Sequence, residues 1–266
     1  MTAAGRSSLR RGVLVPSLAA AAAFAVLVAL GLWQIERKAW KEALIATIAE
    51  RLSAPPVALP RGADWARLDA EADEFLRVTA TAEFENDKEG LVYTGGSTLR
   101  EPTGGPGYWV FTPARLAGGA AAGGGGGGHV MVNRGFVPEG RQNPATRAEG
   151  EIAGPVEFIG VLRWPEAPGL FTPNADTAHN LWFSRDSAAI AAAKGIDAAP
   201  FYVELESPEP PGGLPRGGRL QPNLPNNHLQ YALTWFGLAA VLTGVYTAWL
   251  FGSWRQQDET ADGQTQ

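Results

Sequence analysis

Cysteine is absent from the 266-residue sequence. This absence excludes disulfide bonds, thiolate-ligated zinc, cysteine-ligated iron–sulfur clusters and a cysteine nucleophile. Histidine is scarce, and the three that occur, His129, His179 and His228, do not share a metal-ligand spacing such as H-x-x-x-H. Because no G-x-S-x-G motif and no distinctive pair of carboxylates occurs either, we expect a protein that is not an enzyme.

Positive charge is scarce as well. The chain has 22 lysines and arginines against 27 aspartates and glutamates, which gives a net charge of −5. No basic run interleaved with aromatic residues occurs, so nucleic acid is not expected as a partner. The hydrophobic residues, 45% of the total, are concentrated in two uncharged blocks on either side of a polar middle. This distribution is typical of a membrane protein.

The two uncharged blocks are long enough to cross a lipid bilayer. Residues 13–35 form a run of 23 residues without a charge, and residues 229–254 form a run of 26. A helix rises about 1.5 Å per residue and the hydrocarbon core is roughly 30 Å thick. Aromatic residues stand towards both ends of the second block, as in an aromatic belt. We predict transmembrane helices at residues 13–35 and 229–251.

The first block has a second interpretation, as a cleaved signal peptide. Arg6, Arg10 and Arg11 would form its basic region, and residues 29–31 would supply a small-x-small cleavage site. Signal peptides have apolar regions of about 7–15 residues, so the length of this block favours a retained anchor. Under either interpretation the second span keeps the chain in the membrane.

Charge also predicts the orientation of the chain. Residues 1–12 contain three arginines and no acidic residue, which favours a cytoplasmic N-terminus. Residues 36–228 carry 18 basic and 24 acidic side chains, and long segments are translocated largely regardless of charge. We expect this segment to be extracytoplasmic and residues 252–266 to be a cytoplasmic tail.

The extracytoplasmic segment is predicted to be an α+β domain. Residues 36–52 continue the first span as an amphipathic helix, which Pro55 and Pro56 end. Asp186 or Ser187 can cap a short helix that stops at Gly195. Six segments read as strands with alternating polarity, and their spacing predicts an antiparallel β-sheet that can close into a barrel. They are residues 77–83, 90–93, 108–112, 130–133, 156–164 and 201–206.

Two glycine-rich segments are interpreted as connections. Residues 118–128 consist of glycine and alanine between two predicted strands, and they lack the Lys-Ser/Thr that a phosphate-binding loop requires. We therefore expect a tolerated surface loop. Residues 207–218 are rich in proline and glycine and are predicted to be a linker that returns to the membrane.

His228 is the candidate site residue, because an ionisable side chain at the start of a membrane span is costly and marks function by default. Tyr231 and Trp235 follow it on the same helical face. Trp33 and Gln34 stand at the end of the first span, at the same membrane interface as His228. If the two helices pack together, these residues lie at about the same depth in the membrane as His228. Small residues recur three and four positions apart in the second span, at Gly237, Ala240 and Gly244. They predict a strip along which the two helices can approach closely.

The same residues fit a simpler interpretation. Trp33, Tyr231 and Trp235 are then interfacial anchors, and His228 is a helix-entry residue that headgroups or water satisfy. Arg134 and Arg185 are interpreted as solvated or structural rather than ligand-binding residues. Arg216 and Arg219, near the outer surface, can meet anionic headgroups or the propionates of a porphyrin, and the sequence does not decide between these roles.

Five motifs, in this order, resemble the signatures of the Surfeit-locus-one family of cytochrome c oxidase assembly proteins. They are LGLWQIERKAWKEALI, GYWVFTP, VNRGFVP, WFSRDSAAIAAAKGI followed by APFYVE, and NNHLQYALTWFGLA. The resemblance extends from about residue 30 to residue 250, and the motif around His228 is the most specific. The glycine tract and Phe136, where tryptophan is common, are the departures.

The resemblance implies two transmembrane helices around an extracytoplasmic domain, in the inner membrane of a bacterial-type cell. It implies a respiratory-chain assembly factor that receives haem a transiently and helps to insert it into the catalytic subunit of a haem–copper oxidase. A haem a synthase is a second expected partner. His228 matches the histidine associated with haem iron, and Trp33, Gln34, Tyr231 and Trp235 complete the expected site. The alternative is a membrane-anchored scaffold for the oxidase subunit that does not bind haem.

Overall fold

The structure, a computed structural model, describes residues 3–60, 62–95, 105–117, 128–222 and 224–262. The chain divides into two compact units. The helix-pair unit contains Met1–Ala46 and Pro225–Gln266, and the barrel domain contains Thr47–Leu224. Apart from Gly128, the predicted glycine and alanine loop lies outside the described residues.

The described residues form four α-helices and eight strands, joined by short 3-10 turns. In chain order they are α1 (Ala3–Ser53), β1 (Val57–Ala58), α2 (Ala70–Asp73), β2 (Arg77–Phe84), β3 (Gly90–Thr94), β4 (Gly107–Leu116), β5 (His129–Pro138), β6 (Pro155–Arg163), β7 (Leu181–Trp182), α3 (Ser187–Ala193), β8 (Ala198–Ser207) and α4 (His228–Asp262).

Two of the helices can cross a membrane. The stretches Val13–Ser53 and His228–Arg255 are long and apolar enough to do so. Helix α1 continues without interruption through the predicted amphipathic segment and ends at Ser53, because Pro55 and Pro56 follow. The α+β fold with two apolar helices, one before and one after a sheet domain in the chain, is confirmed.

The sheet closes on itself. Strands β2, β6, β8, β5 and β4 pair in this order, and the end of β4 pairs back to β2, so five strands form a barrel. Strands β3 and β7 extend the sheet beyond β4. All six predicted strands are present, but the expectation that every pair is antiparallel is wrong. Strands β5 and β8 are parallel, as are β1 with β2 and β3 with β7.

Alternation along the strands separates the barrel interior from its outer surface. On β8, Phe201, Val203 and Leu205 belong to the main apolar cluster with residues of β2, β5 and β6. Tyr202, between them, belongs to a second cluster that also contains Ile190 of α3. Burial raises the pKa of the Tyr202 hydroxyl. Helix α3 therefore covers one outer face of the barrel and makes this face part of the core.

Helix α3 has the predicted cap. The Asp186 carboxylate accepts a hydrogen bond from the backbone N–H of Ala189 at 3.0 Å. We expect Asp186→Ala to lower the free energy of unfolding by about 1 kcal/mol, because one helix N–H loses its acceptor. Denaturant unfolding of the full chain in detergent, followed by tryptophan fluorescence, measures this change. Asp186→Asn, which keeps an acceptor, is the control, and equal midpoints for Asp186→Ala and wild type would contradict the assignment.

The predicted linker at residues 207–218 packs against the barrel. Phe136 and Arg216 exchange two backbone hydrogen bonds, with N···O distances of 2.9 and 2.8 Å. Gly135 has a φ of +129°, and a Cβ there would lie 2.2 Å from the backbone of Arg216. The segment is therefore held along β5, and glycine at position 135 is required by both conformation and space.

The two arginines interpreted from the sequence as solvated or structural have structural partners. Arg134 is 1% exposed and donates hydrogen bonds to Asn86 and to the Gly150 carbonyl. Burial lowers the pKa of the Arg134 guanidinium. Arg185 forms an ion pair with Glu166 at 2.9 Å and approaches Glu204 at 3.7 Å. Both arginines therefore contribute to the packing of the barrel domain.

Candidate functional site between two helices

The start of α4 determines the position of His228. Pro225 lies three residues earlier, and the backbone N–H of Tyr231 donates to the Asn227 carbonyl at 3.2 Å, which makes His228 the first helical residue. The Lys41 ammonium on α1 donates to the Pro225 carbonyl at 2.5 Å. The segment that leads into α4 is therefore tied to α1 immediately before His228.

His228 contacts α1 directly. Its Nδ1 lies 2.7 Å from Oε1 of Gln34. An amide oxygen can only accept a hydrogen bond, so this contact requires Nδ1 to carry the proton. The Nε2 atom then holds the lone pair of the imidazole. Among the described residues no hydrogen bond engages Nε2, so this atom is available to a ligand.

This arrangement is the one that proteins use to orient a metal-binding histidine. A ligating imidazole almost always donates its other N–H to a carbonyl or carboxylate, which fixes both the tautomer and the orientation of the ring. Gln34 supplies such an acceptor. The sequence placed Gln34 and His228 at the same depth, and the structure brings the two side chains together.

Small residues hold the helices close on the membrane side of this contact. Ala232 and Ala239 of α4 are 1% and 3% exposed. Gly31 of α1 is buried against Phe236, and a Cβ at position 31 would lie 2.5 Å from that ring. Glycine at this position therefore sets the close approach of the two helices one turn from Gln34.

A second polar contact joins the two spans deeper in the helix pair. The hydroxyls of Ser17 and Tyr246 lie 2.5 Å apart, and Ser17 also donates to the Val13 carbonyl. Hydrogen bonds between helices stabilise their association in a membrane by about 1 kcal/mol. The His228 and Ser17 contacts thus fix the rotation of α4 against α1 at two separate levels.

The predicted small-residue strip is wrong. A Cβ added at Gly237 or at Gly244 would contact no other residue within 4 Å, and Ala240 is exposed. Residues follow one another by about 100° around a helix, so Gly237 lies about 200° from the buried Ala239. Small residues occur on both sides of α4, and the side that carries Ala232 and Ala239 packs against α1.

The aromatic residues predicted for the site have different environments. Trp33 and Tyr231 are 53% and 56% exposed, and Trp235 is partly buried. Tyr231 does not share the packed side of α4 with Ala232. In a membrane the exposed rings present apolar surface to lipid or to an apolar ligand beside the imidazole.

Two residues near the site were missed by the sequence analysis. Lys41 stands seven residues after Gln34, a spacing that places both on one side of α1 and could have identified it. Asn226 has a buried Oδ1 that lacks a hydrogen-bond partner within the described ranges. Its position next to the helix start, in a loop without periodicity, gives no signal in the sequence.

The other two histidines have local partners in the barrel domain. His179 is largely exposed and lies 2.7 Å from the Asp176 carboxylate. His129 Nε2 lies 3.2 Å from a carboxylate oxygen of Glu85. No group of three or more His, Cys, Asp or Glu side chains that could hold a metal ion occurs in the described part of the chain.

The close approach at Gly31 can be tested with spin labels. The sequence has no cysteine, so Val26→Cys and Leu233→Cys on the exposed sides of α1 and α4 would label both helices uniquely. We expect Gly31→Leu to widen the distance between the labels by several ångströms, because its side chain collides with Phe236. Electron–electron dipolar spectroscopy in nanodiscs measures this distance. Gly244→Leu should leave it unchanged, and equal distances in all variants would contradict the packing.

The fold and the site define a membrane-anchored protein with two apolar helices, a β-barrel domain and an oriented imidazole between the helices. Residues 21–240 match the model of the SURF1 family. The chain belongs to the SURF1 family, whose members are known as cytochrome oxidase assembly factors. The resemblance noted in the sequence is thus confirmed.

Several relatives match most of the chain. The SURF1-like protein of Monosiga brevicollis is 35% identical over 233 residues, which cover 84% of this chain and 81% of that protein. Surfeit locus protein 1 of Homo sapiens is 34% identical over 223 residues, covering 79% and 69%. The SURF1-like protein of Drosophila melanogaster is 36% identical over 224 residues, with the same coverage.

Proposed function

We propose that this protein receives haem a in the membrane and helps to insert it into the catalytic subunit of a haem–copper oxidase, without catalysing a reaction itself. Membership of a family of oxidase assembly factors supports the general role. The observation that supports haem binding is the hydrogen bond from His228 Nδ1–H to Gln34, which leaves Nε2 as a metal-binding lone pair.

The residues around His228 suit an iron porphyrin. Haem supplies an iron that accepts an axial imidazole and a broad apolar ring. Trp33, Tyr231 and Trp235 provide apolar surface near the imidazole. The buried Oδ1 of Asn226 can accept a hydrogen bond from a polar substituent of a ligand. The chemistry of the donor set therefore fits the group.

A carrier must also release its cargo. His228 is the only histidine of the helix-pair unit, and the chain has no cysteine. Ligation by one imidazole holds the iron less firmly than ligation by two strong protein ligands. We infer that this arrangement allows transfer of haem a from a synthase and then to the oxidase subunit, both of which we propose as partners.

The site also requires an orientation. The arginines at positions 6, 10 and 11 favour a cytoplasmic N-terminus. We propose that both termini are cytoplasmic, that the barrel domain is periplasmic, and that His228 lies at the outer side of a bacterial-type inner membrane. Fusion of a reporter active on one side of the membrane to each terminus tests this orientation.

The haem content of the purified protein tests the function. The full chain would be expressed in cells that synthesise haem a, and the ratio of haem to protein would be measured for wild type, His228→Ala and His179→Ala. We expect His228→Ala to lose most of the haem. His179→Ala, which removes an exposed histidine of the barrel domain, should retain it.

The haem content, together with an assay of oxidase assembly in cells, distinguishes the scaffold alternative. Haem-free wild-type protein, or equal haem content in wild type and His228→Ala, would contradict haem binding at this site. If oxidase assembly nevertheless failed on deletion of the gene and was restored by His228→Ala, the protein would act as a scaffold for the oxidase subunit.

A further inference from the structure

The connection between β6 and β7 exposes two adjacent large apolar side chains. Leu170 is 92% exposed and Phe171 is 93% exposed. The other large apolar side chains exposed in the described part of the barrel domain are Val57 and Tyr93, at 50% and 41%. Isolated exposed apolar residues are common, but this adjacent pair is exposed almost completely and forms one apolar patch.

Hydrogen bonds hold this pair in a defined turn. The Thr172 N–H donates to the Gly169 carbonyl at 3.0 Å, and the Gly169 N–H donates to the Thr172 hydroxyl at 2.9 Å. These two bonds close the turn from both sides of Leu170 and Phe171. Pro168 has a fixed φ and also restricts the backbone of Ala167 before it. The turn therefore presents the pair outward without first having to become ordered.

Both ends of the connection are attached to the barrel domain. The Glu166 N–H donates to the Arg185 carbonyl at 3.1 Å, and the two side chains form an ion pair at 2.9 Å. At the other end, Asp176 and Leu181 exchange backbone hydrogen bonds. The loop is therefore attached to the domain on both sides of its apolar tip, Leu170 and Phe171.

The small size of the exposed pair and the absence of charge around it indicate what kind of surface covers Leu170 and Phe171. A large aromatic side chain buries about 150–250 Å², whereas a stable protein interface buries roughly 800 Å² on each partner. The pair is too small for such an interface by itself. No charged residue occurs between Ala167 and Ala175, so insertion into an apolar medium would not require the burial of a charge.

The chain also tethers the barrel domain to the membrane that its apolar helices can cross. Helices α1 and α4 are long and apolar enough to span a bilayer. Helix α1 continues directly into the barrel domain, and α4 begins a few residues after the end of this domain. A tether of this kind raises the effective concentration of a weakly binding group at the bilayer surface, so two side chains suffice for a useful contact.

We propose that Leu170 and Phe171 insert into the bilayer that anchors the chain and form a third membrane contact of the protein. The inserted pair restricts the rotation of the barrel domain about its tethers. This contact is independent of haem binding at His228, so the failure of either proposal leaves the other intact.

A site-specific fluorophore tests the proposal. Phe171→Cys gives the cysteine-free chain one attachment site for an environment-sensitive nitrobenzoxadiazole label, and Glu139→Cys provides a control at another exposed position. The full chain would be reconstituted in vesicles of phosphatidylethanolamine and phosphatidylglycerol. We expect emission from position 171 to shift to shorter wavelength and to be quenched by lipids that carry a nitroxide on the acyl chain. Emission from position 139 should show neither effect.

Two outcomes would overturn the proposal. One is equal emission and equal lipid quenching at positions 171 and 139. The other is an emission shift at position 171 that occurs only when an oxidase catalytic subunit is added and that is not accompanied by lipid quenching. This result would assign Leu170 and Phe171 to a contact with a protein partner. A second variant, Leu170→Ser with Phe171→Ser, should keep the unfolding midpoint of wild type. A label at the exposed position Asn174→Cys should lose, in this variant, most of the lipid quenching that it shows beside the wild-type pair. Unchanged quenching in that variant would also contradict insertion.

Discussion

Replacement of Arg147 by methionine should destabilise the barrel domain by about 3–5 kcal/mol, the cost of removing one partner from a buried ion pair. The side chain of Arg147 is 1% exposed and that of Glu89 is 6% exposed, and their charged groups form a direct hydrogen bond. A second amino group of Arg147 donates to Glu151 at 3.1 Å. Without Arg147, the Glu89 carboxylate would stay buried and lose its compensating charge.

This destabilisation should depend on pH. Burial raises the pKa of Glu89 above its usual value even though Arg147 acts to lower it. Loss of Arg147 should raise the pKa further, so the folded variant binds this proton more tightly than the unfolded chain. The stabilisation from proton binding is fully present below the unfolded-state pKa and is lost as pH rises through the folded-state pKa. The deficit of Arg147→Met should therefore be smaller at acidic pH than at neutral pH.

Denaturant unfolding of the full chain in detergent, followed by tryptophan fluorescence, measures both effects. The double variant Glu89→Gln with Arg147→Met removes the uncompensated charge. It should recover part of the lost stability and lose the extra dependence on pH. A midpoint for Arg147→Met equal to that of wild type at neutral pH would show that the pair does not stabilise the domain.

Replacement of Gln34 by leucine should weaken haem a binding by about 10–100-fold, the usual effect of removing the partner of a metal-binding histidine. Gln34 Oε1 accepts the Nδ1–H of His228 at 2.7 Å. Without this acceptor the imidazole can rotate or adopt the other tautomer, and Nε2 is no longer preferentially the lone pair. Gln34→Glu keeps an acceptor and should retain most of the affinity.

Titration of the purified full chain in nanodiscs with haem a, followed by visible absorption, measures this affinity. Gln230→Leu is the matched control, because Gln230 is an exposed glutamine two residues after His228 on α4. It should bind haem a as wild type does. Equal affinities for Gln34→Leu and wild type, or equal losses in Gln34→Leu and Gln230→Leu, would exclude a positioning role for Gln34.

The sequence predicted the strands that alternate and missed those that are too short to do so. Strand β8 could be recognised because apolar side chains recur at every second position along its interior face. Strands β1 and β7 contain two residues each, and two residues cannot define a period. The parallel pairing of β5 with β8 was also missed, since these strands are separated by β6, β7 and α3 and hairpin spacing constrains only consecutive strands.

The depth of the site was predictable, but the rotation of its helices was not. Gln34 and His228 end or begin hydrophobic blocks at the same interface, so their levels follow from where charge and polarity resume. Small residues occur on more than one side of α4, and composition does not distinguish Gly237 from Ala239. The residues that α1 supplies decide which side of α4 packs, above all Gly31, whose lack of a side chain leaves room for Phe236.

The buried ionic pairs of the barrel domain were not predictable either. Arg147 and Glu89 are 58 residues apart and belong to polar stretches in which charges are normally expected at the surface. Only the arrangement of the strands around the barrel brings them together and removes them from water. Arg134, which directly follows a predicted strand and precedes a glycine, likewise gave no signal of its burial.

Restoration of haem ligation by free imidazole tests most directly whether His228 Nε2 binds haem iron. His228→Gly would be reconstituted in nanodiscs, titrated with haem a, and compared with wild type by visible and electron paramagnetic resonance spectra with and without added imidazole. We expect wild type to give the spectrum of a histidine-ligated haem, His228→Gly to lose it, and imidazole to restore it. Identical histidine-ligated spectra for His228→Gly and wild type in the absence of imidazole would contradict the assignment.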